Sequence, residues 1–121
     1  MTWEYRQSTG HFSLNDAYVA TGYSGQGEGL NNPSEESVQG QGPIPHGKYK
    51  IGPAITHPTA GPIVMRLTAC EGTDTCGRDG FLIHGDNQAL NHTASHGCII
   101  LPKAIRQMVA DSDDKDLIVL P

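Results

Sequence analysis

No apolar run in this 121-residue chain approaches the roughly twenty residues that a membrane-spanning helix requires. A basic cluster is missing too. Eight Lys and Arg stand against thirteen Asp and Glu, for a net charge of −5, and a nucleic-acid binder needs cations to neutralise phosphates. Neither a membrane span nor nucleic-acid binding is therefore expected. The opening residues, Met1-Thr-Trp-Glu-Tyr-Arg6, hold no apolar signal core. The expectation is synthesis in the cytoplasm without a signal peptide, so a target outside it would need another delivery route. There is no internal repeat, and no Cys-x-x-Cys pair of the kind that completes a structural zinc site.

What the chain does have is punctuation. Fifteen glycines and eight prolines favour short strands and many turns over long helices. At this length one domain, 1–121, is the simplest organisation. Trp3, Tyr5, Phe12 and Leu14 alternate with period two, Asn15-Asp16 reads as a turn, and 17–21 as a returning strand. The glycine-rich stretch 22–42 reads as a long irregular loop. Strands are expected at 48–51, 63–68 and 116–120, and at the apolar segments 81–83 and 99–101. One helix is expected from Pro102, with Ile105, Met108 and Val109 on its apolar face. Lys103 in the first turn opposes the helix dipole. The acidic run 111–116 reads as a solvated turn. The fold class is mainly β, a small sandwich or open barrel with one short helix near the C-terminus.

Chemistry concentrates at the last two apolar segments. Phe81-Leu-Ile-His-Gly-Asp-Asn87 ends a strand in a histidine, and Ser95-His-Gly-Cys-Ile-Ile-Leu101 starts one at a cysteine. If these strands are neighbours, an imidazole and a thiol meet at one end of the sheet, the minimum for a cysteine nucleophile with a histidine base. A thiol attacks as thiolate, so Cys98 needs a base or a lowered pKa. His84 is the candidate base, its second nitrogen held by a carbonyl such as that of Gly85. Gly97 permits unusual dihedrals, and the amides of Gly97 and Cys98 are candidate oxyanion donors. Because the histidine precedes the cysteine, papain-like order is disfavoured.

Other readings stay open on the residues alone. Cys98 can be a buried core thiol and His96 a turn histidine. His92, His96, Cys98 and His84 are chemically able to hold zinc, although His96 and Cys98 would point to opposite faces of one strand. Asp86 and Asn87 suit either a bound peptide or a turn; Tyr23 and Ser24 suit either a groove or a solvated loop. His46 and His57, beside prolines, read as surface residues. Cys70 and Cys76 flank a polar loop and can bridge in an oxidising compartment or stay reduced.

At these residues the chain resembles the L,D-transpeptidase catalytic domain family, whose signature is a histidine, a spacer and Ser/Thr-His-Gly-Cys. It is most similar to the small type VI secretion effectors of that kind. It shares their early aromatic strand (Trp3, Tyr5), Gly22-Tyr-Ser-Gly-Gln-Gly27, Asn31-Asn-Pro33, Gln41-Gly-Pro-Ile-Pro-His-Gly-Lys-Tyr49, Ile83-His-Gly-Asp-Asn87 and Ser95-His-Gly-Cys-Ile99. The spacer is shorter than in the housekeeping enzymes, and Ile100 stands where many of them carry Arg or Asn; both departures fit the effector branch. The resemblance implies Cys98 as nucleophile, His84 as base, and Ser95, His96 and Gly97 as the supporting turn. It further implies peptidoglycan stem tetrapeptides as substrate, no cofactor, delivery by a secretion system to the periplasm of a target bacterium, and a cognate immunity protein as partner.

Overall fold

A computed structural model describes residues 2–58, 60–85 and 97–121. Among them, the opening strands β1 (Trp3–Arg6), β2 (His11–Leu14) and β3 (Ala17–Thr21) run antiparallel in sequence order. Asn15 and Asp16 join β2 to β3 with φ of 49° and 67°. Positive φ at both central residues is type I′ hairpin geometry, which Asn and Asp tolerate. A two-residue strand β4 (Tyr23–Ser24) follows, and then two short 3₁₀ turns at Gly27–Gly29 and Pro33–Glu35. The stretch expected to be a loop is therefore mostly one. The remaining elements are β5 (Gly47–His57), β6 (Gly61–Ala69), β7 (Leu82–His84), β8 (Ile99–Ile100), helix α1 (Lys103–Asp111) and β9 (Asp116–Leu120).

All nine strands belong to one sheet, in the order β3-β2-β1-β9-β5-β6-β7-β8-β4. It curls into a nearly closed barrel. The two end strands, β3 and β4, are separated in sequence by Gly22 alone, and that short link draws the ends of the sheet together. Most pairings are antiparallel; β1–β9 and β7–β8 are parallel. The mainly β architecture with one short C-terminal helix is the one the sequence predicts.

Alternation explains the core. Trp3 and Tyr5 of β1 point inward and are fully buried, as is Phe12 on β2. The Trp3 ring stacks on Phe12 at 5.0 Å and 14°, and its Nε1 donates to the Asp114 carbonyl at 3.0 Å. That bond ties the start of the chain to the turn before β9. Tyr49 meets Phe81 edge-on at 6.0 Å and donates its hydroxyl to the Pro45 carbonyl.

Two elements differ from the sequence reading. The strand expected at 48–51 extends to His57, across Gly52-Pro53. Proline cannot donate to a ladder, and the β5–β6 register indeed shifts between Ile51 and Ala54; the bulge lets the strand resume. On α1, Ile105 and Val109 face the barrel but Met108 is 48% exposed, and Arg106 takes the buried position instead. Its guanidinium donates to the carbonyls of Leu101, Pro62 and Ile63, which satisfies the charge where an apolar side chain was expected. At the other end, Lys115 donates to the Val109 and Ala110 carbonyls, a cation placed well for the helix dipole.

This orientation of α1 separates two neighbouring residues. Val109→Ala is expected to cost roughly 2 kcal/mol, and Met108→Ala less than about 0.5 kcal/mol. Urea denaturation of the two variants checks it.

Candidate active site

The site rests on one pairing. β7 and β8 run parallel, with Ile83 opposite Ile99 and His84 opposite Ile100. Ile83 and Ile99 are fully buried in the core. Side chains alternate along a strand, so His84, Ile100 and Cys98 lie on the opposite face. Extended by one residue, the same register sets Cys98 opposite Leu82, on the face of His84 and two positions from it along the ladder. The ladder continues beyond β8, where the Leu101 amide donates to the His84 carbonyl at 3.0 Å.

His84 is 9% exposed, and its Nδ1 lies 2.7 Å from the Gly85 carbonyl. A carbonyl only accepts, so Nδ1 carries a proton, and the tautomer that fits this bond has its lone pair on Nε2. Cys98 is half-buried and in no disulfide. Burial pushes it up, the Leu82 backbone amide and the Arg78 cation pull it down, and the balance leaves it above the usual thiol range.

The two glycines beside these residues each meet a guanidinium. A Cβ on Gly97 would lie 2.3 Å from Nη2 of Arg78, and Gly97 has φ of +128°, which L side chains rarely adopt. A Cβ on Gly85 would lie 2.7 Å from Nη2 of Arg106. Arg78 is 5% exposed, donates to the carbonyls of Glu36, Gly42 and Pro43, and lies over the Phe81 ring at 5.5 Å.

β4 flanks β8 on its other side, Tyr23 opposite Ile100 and Ser24 opposite Ile99. Tyr23 thus shares the face of His84 and Cys98 and is 6% exposed. Ser24 turns to the core, fully buried, and its hydroxyl accepts from the Ile44 amide at 2.9 Å; its side chain fixes the Pro43–Pro45 turn. Asp86, Asn87, His92, Ser95 and His96 lie outside the described residues. Among the described residues no three His, Cys, Asp or Glu side chains gather around a common point. Cys70 and Cys76 are free thiols. His46 is exposed and pairs with Glu36.

The Tlde1 domain family model matches residues 18–119. The chain belongs to the Tlde1 domain family. This is a type VI secretion effector family, named for L,D-transpeptidase effectors. The match takes in β4, β7, β8 and α1 and so includes His84, Cys98, Arg78 and Arg106 of this Tlde1 domain. No curated protein matches. No helix among the described residues is long and apolar enough to cross a membrane.

Sequence reasoning passed over Arg78 and Arg106. Arg78 sits in a turn between Gly77 and Gly80, where an arginine ordinarily reads as solvated. Arg106 lies next to the buried stripe of an amphipathic helix, and apolar periodicity discounts a charge there.

Gly97 offers a direct check on this packing. Gly97→Ala imposes both the left-handed strain, about 1–3 kcal/mol, and the clash with Arg78. A lowered thermal midpoint together with altered Cys98 alkylation is expected.

Proposed function

We propose that this Tlde1 domain is a cysteine-dependent peptidoglycan enzyme, an L,D-transpeptidase or L,D-carboxypeptidase acting on stem tetrapeptides. The observation that carries the reading is the β7–β8 pairing, which sets His84 and Cys98 on one face with His84 Nδ1 tied to the Gly85 carbonyl. Such a tie leaves Nε2 as the proton acceptor, the arrangement a cysteine nucleophile needs.

In this reading the Cys98 thiol attacks the carbonyl at the L-centre of the stem's diamino acid. Because burial disfavours the thiolate, the thiol proton passes to His84 as the C–S bond forms, rather than leaving beforehand. The amides of Gly97 and Cys98 receive the developing oxyanion. The C–N bond to the terminal D-alanine then breaks, and the imidazolium of His84 returns the proton to the departing amine. The thioester is resolved by a second nucleophile. A D-amino acid gives exchange, another stem a crosslink, and water gives hydrolysis. Tyr23 and Asp86, Asn87 are the candidate peptide contacts, and Ser95 and His96 the supporting turn. Membership of an effector family supports delivery by a type VI secretion system to the periplasm of a target bacterium, where depleted or capped tetrapeptides starve crosslinking. A cognate immunity protein covering the Cys98 groove is the corresponding partner.

Mass spectrometry of purified muropeptides incubated with the protein and D-methionine tests the reading. Loss of terminal D-alanine, or its replacement by D-methionine, is expected with the intact protein and abolished by Cys98→Ala. His84→Gln is expected to lower the rate by about 10²–10⁴-fold. Unchanged tetrapeptides from folded protein would refute it. The raised thiol has its own signature: Cys98 alkylation should rise at a higher pH than that of an ordinary cysteine, whereas a preformed thiolate–imidazolium pair would already react at acid pH.

A further inference from the structure

Arg78 has no place in the reaction as outlined above, yet more of the structure converges on it than on any other cation among the described residues. Its guanidinium is almost fully buried, a costly position for a charge that nothing compensates. Compensation comes from the carbonyls of Glu36, Gly42 and Pro43 on one side and the face of Phe81 on the other. Those carbonyls all belong to the segment that ends the long loop after β4. The Nη2 end meets the Cα of Gly97, at a distance that leaves no room for a side chain. Thus one planar group joins three parts of the chain: the 36–43 segment, the residue before β7, and the residue before Cys98.

We propose that Arg78 is a positioning residue for Cys98, setting the backbone path through Gly97 and holding a fixed positive charge one residue along the chain from the thiol. The inference rests on Cys98 being the nucleophile of the proposed reaction. It goes beyond that reading by naming how a buried thiol is made reactive without an exposed cation. Desolvation is the largest influence on the thiol and opposes the thiolate on which attack depends; the Leu82 backbone amide and then the Arg78 cation favour it. Among the described residues, the groups that sense Arg78 are Cys98, Cys76, Tyr49 and Glu36, and the charged group that acts on Cys98 is Arg78 from the 75–80 turn, with His84 on the same face of the sheet. Lysine is an incomplete substitute, since a point ammonium cannot span three carbonyls and stack on a ring, but it keeps the charge.

The test is iodoacetamide alkylation of Cys98, read peptide by peptide by mass spectrometry, in wild type, Arg78→Gln and Arg78→Lys of verified fold. Arg78→Gln is expected to slow alkylation at pH 8 about ten-fold and to regain the wild-type rate about one pH unit higher. Arg78→Lys should stay within about three-fold of wild type. A purely structural tether predicts the reverse: an unmoved pH profile in both variants, or equal loss in both, and either result overturns the proposal. If Arg78→Gln fails to fold, Phe81→Leu removes the ring under the guanidinium and keeps the charge. It should slow alkylation about three-fold, and an unchanged rate would overturn the proposal equally. Alkylation reads the thiol alone. Failure here with intact D-alanine release would leave the proposed reaction standing, and missing D-alanine release with Arg78-dependent alkylation would refute the reaction instead.

Discussion

Everything at the site depends on the register of two very short parallel strands. A slip of one residue between β7 and β8 would turn Cys98 into the core and Ile99 out of it, because side chains alternate with a period of two. β7 has three residues and β8 two, too few to hold a register by ladder bonds alone. The register is held instead by burial of Ile83 and Ile99, by the Leu101 amide on the His84 carbonyl, and by β6 and β4 on either side. The placing of His84 and Cys98 on one face is thus a property of the barrel, not of the local sequence.

Two buried arginines extend that constraint into the backbone on either side of the pair. Arg106, reaching down from α1, holds the β6 carbonyls and presses on Gly85; Arg78 holds the 36–43 segment and presses on Gly97. Each guanidinium satisfies backbone carbonyls and lies against a glycine at its far end. The peptide whose carbonyl meets the His84 ring therefore lies directly against a guanidinium from the helix. Ser24 has a comparable part, its hydroxyl holding Ile44 and hence the turn that supplies Arg78 with acceptors.

Much of the fold is legible in the sequence because it rests on simple periodicities. Alternation marks β1, β2, β6 and β9, the Asn15-Asp16 turn marks the hairpin, and Pro102 marks the start of the helix. Reading fails where tertiary context overrides local preference. Gly52-Pro53 looks like the end of a strand, but a bulge carries β5 past it. Met108, expected on the apolar face, is exposed, and Arg106 is buried because the carbonyls of β6 and Leu101 accept from its guanidinium. At the site, His84, Gly85 and Cys98 are visible as a motif; Arg78 is not, since its acceptors lie more than thirty residues away along the chain. Ser24 looked like a loop residue facing a groove because a two-residue strand leaves no periodic trace.

The central claim is that Cys98 carries the acyl group between donor and acceptor. Peptide-resolved mass spectrometry of protein quenched during turnover of a stem tetrapeptide tests it most directly. The account predicts an adduct on Cys98 with the mass of the tetrapeptide less its terminal alanine, found on neither Cys70 nor Cys76. Alanine release without an adduct on Cys98, persisting after Cys98→Ala, would contradict it.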